Sequence, residues 1–236
     1  MREIKEFFTE LLYPKRTRCS ICGRPAGEAL CSTCLASLDF IEGRVCLKCG
    51  KGLEDEYEKH LCPDCSSDQK EFEMAISCFQ YKDMGKNMIH KLKYEGCSEI
   101  SSVLARLMKQ KLWDEGISID AIVPVPIHPD KELARGYNQA YLMAKELSVA
   151  MKLPLWDCLM RTKQTTEQFK LDKHQRILNV RNAFCIKMLY NVTYHRVLLV
   201  DDIYTTGSTA NECSKVLKQQ GIHKVVVITA ATGSNT

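Results

Sequence analysis

Residues 197–209 read Val-Leu-Leu-Val-Asp-Asp-Ile-Tyr-Thr-Thr-Gly-Ser-Thr, an order that strongly restricts how the chain around it can fold. Val197, Leu198, Leu199 and Val200 are apolar β-formers and predict a strand. Two adjacent acids, Asp201 and Asp202, follow it, and then a short hydroxyl-rich loop, Thr205, Thr206, Gly207, Ser208 and Thr209. Beyond the loop, Ala210, Cys213, Val216 and Leu217 fall on one helical face, and Gly221 marks the stop. A turn entering a helix presents backbone N–H groups that have no partner within the helix. The helix dipole favours an anion there, so the loop suits a phosphate. Two carboxylates at a strand end suit a vicinal diol, whose hydroxyls they can accept hydrogen bonds from. A capped turn between a buried strand and a helix would explain a lone Asp-Asp or a lone Thr-Thr-Gly-Ser-Thr. The thirteen-residue order is more specific than either.

That order resembles the phosphoribosyl pyrophosphate (PRPP) motif of type I phosphoribosyltransferases. The resemblance implies that Asp201 and Asp202 hold the ribose hydroxyls, and that Thr205, Thr206, Gly207, Ser208 and Thr209 cradle the 5′-phosphate.

The chain's 236 residues suffice for one good-sized domain and a small one. Its net charge of +4 is unevenly spread: residues 1–70 sum to −1 and residues 71–236 to +5. A polyanion is therefore expected to meet the second part. Residues 2–13 place Ile4, Phe7, Phe8, Leu11 and Leu12 at helical spacing, an amphipathic helix expected to dock on a larger body and ended by Pro14. Charge runs through Met1 to Glu10, so no signal peptide is expected, and no apolar run approaches the roughly 20 residues of a membrane span. A reducing, cytoplasmic setting follows as the expectation, and there paired cysteines indicate metal more often than disulfides.

Eight of the thirteen cysteines form four CxxC pairs: Cys19/Cys22, Cys31/Cys34, Cys46/Cys49 and Cys62/Cys65. Each pair puts two thiolates on one tight turn, and two turns complete a tetrahedral zinc site, so the ligands fit two zinc ions. The simplest sharing joins neighbours, Cys19/Cys22/Cys31/Cys34 and Cys46/Cys49/Cys62/Cys65; spacing leaves a cross-braced arrangement open. Such ribbons bind nucleic acid, bind protein or serve structure. The slightly negative local charge favours structure, because phosphate contacts need Lys and Arg. His60 reads as a loop histidine, since the cysteines leave no vacancy. The polar stretch 66–74 marks a boundary between a cysteine-rich domain, 1–70, and a second domain, 71–236.

In the second domain β and α patterns alternate. Strands are expected at 75–81, 120–126, 183–187, 197–201 and 225–230 in a mostly parallel sheet flanked by helices, the type I phosphoribosyltransferase fold. Pro124 confines the second of these to an edge, or ends it. Met84, Met88, Ile89 and Leu92 stripe one helix; Ile100, Val103, Leu104, Leu107, Met108 and Leu112 stripe the next. Between strand and helix, Arg135-Gly136-Tyr137-Asn138-Gln139 form a loop suited to an anion.

The run VPVPIHPDKELARGYNQAYLMAKEL closely resembles the ComF family, the competence-protein-F-like phosphoribosyltransferases. LKYEG at 92–96, LMRTKQTTEQFKLDKHQRILNVRNAF at 159–184, VDDIYTTGST, the leading LLYP and the CxxC pairs fit the same family. The resemblance spans essentially the whole chain. It implies that Lys93, Arg135, Gly136, Tyr137, Asn138, Arg161 and Arg176 meet the pyrophosphate, and that 159–183 form a mobile hood. Residues 152–187 carry a net +5, which suits a pyrophosphate lid or a nucleic-acid contact. The implied catalytic set is Asp201, Asp202 and Arg135, with Mg2+ accompanying PRPP and two structural Zn2+. Thr205 stands where purine-transferring relatives place an Asp, which puts a purine-salvage role in doubt. The resemblance implies a part in natural competence: handling incoming single-stranded DNA in the cytoplasm, together with other DNA-uptake proteins. A silent, PRPP-regulated DNA-binding module and a transferase for an unidentified small acceptor are the alternatives. Tyr94, Tyr137, Phe169 and Tyr204 are candidate base-stacking residues, although packing is the reading favoured for each.

Overall fold

The computed structural model describes residues 18–53, 59–163, 173–188 and 194–233. The helix expected at 2–13 and the centre of the hood, with Phe169, lie outside them. Strands β1 (Met74–Gln80), β2 (Ala121–Pro124), β5 (Arg196–Tyr204) and β6 (Lys224–Thr232) form one sheet, ordered β1-β6-β5-β2, with every pairing parallel. A parallel sheet buries both faces, which is why β5 and β6 carry the continuous apolar runs Val197–Val200 and Val225–Ile228. Alternate residues serve opposite sides. Leu198, Val200, Val226 and Ile228 enter one core, while Val197, Leu199, Val225 and Val227 enter the other.

On the first face pack helices α3 (Asp83–Tyr94), α4 (Ile100–Asp114) and α6 (Gln139–Met151), through Met88, Ile89, Leu92, Leu104, Met108, Met143 and Leu147. The second face carries α8 (Ser208–Gln219), through Cys213 and Leu217. Strand β2 is an edge strand, as Pro124 requires, and Pro124 is its last residue.

Three expectations need correction. The strand expected at 183–187 exists as β4 (Phe184–Ile186) but stays out of the sheet. It pairs antiparallel with β3 (Leu159–Arg161), Met160 opposite Cys185. Each of these three-residue strands has one fully buried residue, too little apolar surface for a doubly covered strand. Strand β5 also outlasts its apolar run: β6 offers ladder partners as far as Thr232, opposite Tyr204, so Asp201 and Asp202 lie inside the strand. Finally, the stretch before Gly136 is a short helix, α5 (Pro129–Arg135), begun by proline at its first position and capped by the His128 ring, which accepts from the Asp130 N–H.

The cysteine-rich segment wraps the sheet. Its small helices are α1 (Ser32–Ala36) and α2 (Pro63–Ser67), and α7 (Lys173–Val180) falls within the stretch expected to form the hood. Cys19, Leu30 and Cys34 share the core of α3 and α4, whereas Cys46, Cys49, Cys62 and Cys65 share the core on the opposite face. Between them the chain crosses the free edge of β1. The Ile41 N–H donates to the Cys78 carbonyl at 3.2 Å, the Gln80 N–H to the Asp39 carbonyl at 2.8 Å, and the Ala75 N–H to the Lys48 carbonyl at 2.9 Å. An edge that would otherwise expose unpaired backbone is thereby covered.

Candidate active site and metal centres

The sulfurs of Cys19, Cys22, Cys31 and Cys34 all lie within 4.8 Å of one another, as do those of Cys46, Cys49, Cys62 and Cys65. The nearest pairs in sequence therefore share each centre. Cys22 and Cys31 Sγ stand 3.7 Å apart, and so do Cys49 and Cys62. A tetrahedron with Zn–S bonds near 2.3 Å has edges of about 3.8 Å, so donor set and spacing both fit structural zinc. The second centre is buried throughout; in the first, Cys22 is exposed.

At the carboxyl end of β5, Asp202 Oδ2 accepts from Lys93 Nζ at 2.5 Å and from Gln139 Nε2 at 3.2 Å. Lys93 occupies the last turn of α3, and Gln139 opens α6. Arg135 Nη1 donates to Gln139 Oε1, so one polar chain links Arg135, Gln139, Asp202 and Lys93. Burial opposes charge on Lys93, but the Asp202 and Asp201 carboxylates outweigh it and raise its pKa. Asp201 Oδ1 accepts from the Asp202 N–H at 2.8 Å. Burial, and then the neighbouring Asp202 charge, push the Asp201 carboxyl up to about 8. An acid pair facing one lysine, with Asp202 buried and Asp201 half-buried, is arranged for a ligand that supplies positive charge or hydrogen-bond donors.

The other residues expected at the pyrophosphate divide by position. Gly136 ends α5 at φ 85°, a left-handed conformation that glycine adopts freely. Tyr137 donates its hydroxyl to the Leu92 carbonyl at 2.5 Å, tying this loop to the helix that bears Lys93. Asn138 caps α6, accepting from the Ala140 N–H at 2.9 Å and donating to the Val125 carbonyl at 3.0 Å, so its side chain holds the loop. Arg161 Cζ lies 5.3 Å from the Phe184 ring centroid and feels the Asp201 charge. Arg176 is half-buried on α7. Tyr94 is 55% exposed, with Arg135 Cζ 5.4 Å from its ring centroid and His90 against it; Tyr204 is buried.

The expected phosphate loop runs directly into α8. Gly207 takes the N-cap position at φ 75° and offers no capping side chain. The Thr206 and Ser208 hydroxyls are 3.0 Å apart, and the Ser208 N–H points to Thr206 Oγ1 at 3.4 Å. Beneath the loop, a Cβ on Gly207 would stand 2.6 Å from Tyr204 Cζ. Two features escaped sequence reasoning. The sequence reading keeps Gln139 in the loop, although an asparagine cap at Asn138 makes the next residue the first of α6. Nothing in the sequence identified Tyr204 as the floor of the loop.

Residues 8–66 match the family described as the double zinc ribbon domain. Over 209 residues the chain is 32% identical to Competence protein F of Haemophilus influenzae, covering 86% of this chain and 90% of that protein. It is 29% identical over 219 residues to DNA utilization protein YhgH of Escherichia coli strain K12, covering 89% and 94%. To Competence protein ComFC of Bacillus subtilis it is 28% identical over 210 residues, covering 82% and 80%. Among the described residues no helix is long and apolar enough to cross a membrane. With a relative 32% identical over most of the length of both proteins, the chain belongs to the competence protein F family.

Proposed function

We propose that this protein binds Mg2+–PRPP at the end of β5 and acts in natural competence, handling incoming single-stranded DNA in the cytoplasm, as a phosphoribosyltransferase. The observation that carries the ligand reading is the convergence of Lys93 and Gln139 on Asp202, with Arg135 joined to it through Gln139, beside a glycine-capped helix N-terminus. The relatives named for competence and DNA utilization support the biological setting. In this reading residues 1–70 form a metal-bound module and residues 71–236 the catalytic domain.

The paired carboxylates and the oxygen-rich ligand fit Mg2+, which takes oxygen donors and is held largely through substrate phosphates. When bound, Mg2+ would neutralise the pyrophosphate as it departs. Asp201 and Asp202 accept the ribose hydroxyls, displacing the Lys93 ammonium from Asp202 toward the pyrophosphate. Loop amides at 205–209 hold the 5′-phosphate. Lys93 and Arg135 balance charge on the leaving group, so that the anomeric carbon is held for attack by an acceptor.

A second reading, a catalytically silent module in which PRPP regulates DNA binding, is favoured by one feature. Thr205 occupies the place where purine-transferring relatives carry an Asp, so no acid/base group stands there for a nucleobase. Pyrophosphate release from Mg2+–PRPP, with single-stranded DNA and fractionated cell extract as acceptor sources, separates the two. Release that requires an added fraction and disappears in Asp201→Asn/Asp202→Asn supports a transferase; PRPP binding without release supports the silent module. DNA binding through phosphate contacts should weaken steeply with salt.

A further inference from the structure

We infer that the second four-cysteine centre, and not the first, sets the geometry of the phosphate loop, with Phe72 and Tyr204 as positioning residues between them. The inference rests on the reading of 205–209 as that loop. Lys48, between Cys46 and Cys49, donates to the carbonyls of Phe72 and Glu73 (3.1 Å to the latter), and its ammonium sits 5.4 Å from the Phe72 ring centroid. Phe72 meets Tyr204 edge-on at 6.2 Å, and both are buried in the core that holds Cys46, Cys49, Cys62 and Cys65. The Tyr204 hydroxyl in turn abuts Gly207, leaving no room there for a methyl group.

A parallel route runs through the backbone that follows Cys65. The Glu71 N–H donates to Asn211 Oδ1 at 2.7 Å, in the first turn of the helix that the loop begins. Glu71 also pairs with Lys218 at 3.2 Å, near the end of the same helix. The first centre docks elsewhere: Ser20 Oγ donates to Glu99 at 2.7 Å and Arg106 pairs with Glu28, both at the helix 100–114 layer on the opposite face. Order at Cys46–Cys65 is thus transmitted to Gly207 by direct packing, whereas order at Cys19–Cys34 is transmitted to the far side of the sheet. The chemistry served is recognition of a phosphate monoester by loop amides, which tolerate little displacement.

The test strips zinc stepwise from the full-length, zinc-loaded protein with a mercurial thiol reagent, following release with a metallochromic dye. Amide exchange at 204–210 and calorimetric PRPP binding are read at each stage. The exposed Cys22 should make the first centre yield its zinc first. Loss of that equivalent should leave exchange at 204–210 and PRPP affinity unchanged. Loss of the second should accelerate exchange there and weaken PRPP by about tenfold or more. At full zinc content Phe72→Ala should also weaken PRPP about tenfold, and Phe72→Leu should recover most of it. Unchanged exchange at 204–210 after the second equivalent leaves would overturn the inference. If the zinc-loaded wild type fails to bind PRPP while exchange responds as described, the coupling stands and the ligand reading falls.

Discussion

The cysteine-rich segment and the parallel sheet lie against each other yet hold their shape by different means. In the sheet, Val197–Val200 and Val225–Ile228 are fully buried, and order comes from two apolar faces closed by helices. The segment at 18–53 and 59–66 has no comparable apolar run; beside six buried cysteines it buries only Ala29, Leu30, Leu38 and Ile41 as apolar side chains. Its order is therefore expected to depend on metal at the two four-cysteine centres, while that of the sheet rests on its own apolar packing. The acid pair lies where the sheet's apolar logic is broken, and the loop at 205–209, proposed to hold a phosphate, lies where the two kinds of order meet. A site built there inherits rigidity from the sheet and conditionality from the metal.

The largest effect should come from removing both zinc ions, since apparent binding energies of such sites run to about 10 kcal/mol or more. Hydrogen exchange should show amides at 18–53 losing protection before those of β5 and β6. Simultaneous loss would mean that the sheet depends on metal as fully as the ribbons do. Next is Asp202→Ala, which strands a buried Lys93 and should cost about 3–5 kcal/mol in urea unfolding. Adding Lys93→Met should recover most of that cost; no recovery would mean that the ion pair is not what Asp202 supports.

Gly207→Ala imposes a left-handed conformation on alanine and presses its methyl against Tyr204, a cost of about 1–3 kcal/mol. Tyr204→Phe in the same chain should return part of the loss, because the hydroxyl is the nearest obstacle. The smallest effect on stability is expected from Asp201→Asn. The folded carboxyl is raised to about 8 from an unfolded value near 4, so folding favours the protonated form and wild-type stability falls as pH rises between those values. The variant should lack that slope and match or exceed wild type at pH 8 in ligand-free denaturation. A variant clearly less stable at pH 8 would contradict the burial of Asp201.

What could be read in the sequence follows the same division. The metal centres were legible because CxxC spacing restricts geometry locally and the nearest pairs do share a centre. Strand β5 and the acid pair were legible because an apolar run ending in two acids has few structural solutions. Tertiary partners were not. The β3–β4 ribbon depends on two three-residue strands, too short to carry a period. The pairing of 39–41 with the edge of β1 is made by backbone groups, which leave no trace in side-chain pattern. Asn138 shows how a residue type admits two roles: it suits an anion loop, but here its side chain caps α6. Tyr204 was equally ambiguous, since an aromatic after an acid pair can stack on a base or floor a loop, and only packing against Phe72 decides it.

The central claim is that the acid pair and the loop at 205–209 form one PRPP site, and calorimetric titration of Mg2+–PRPP into zinc-loaded protein tests it most directly. The account predicts saturable binding at one site per chain, lost in Asp201→Asn/Asp202→Asn although that variant stays folded. Equal binding by both proteins, or none by the wild type, would contradict it.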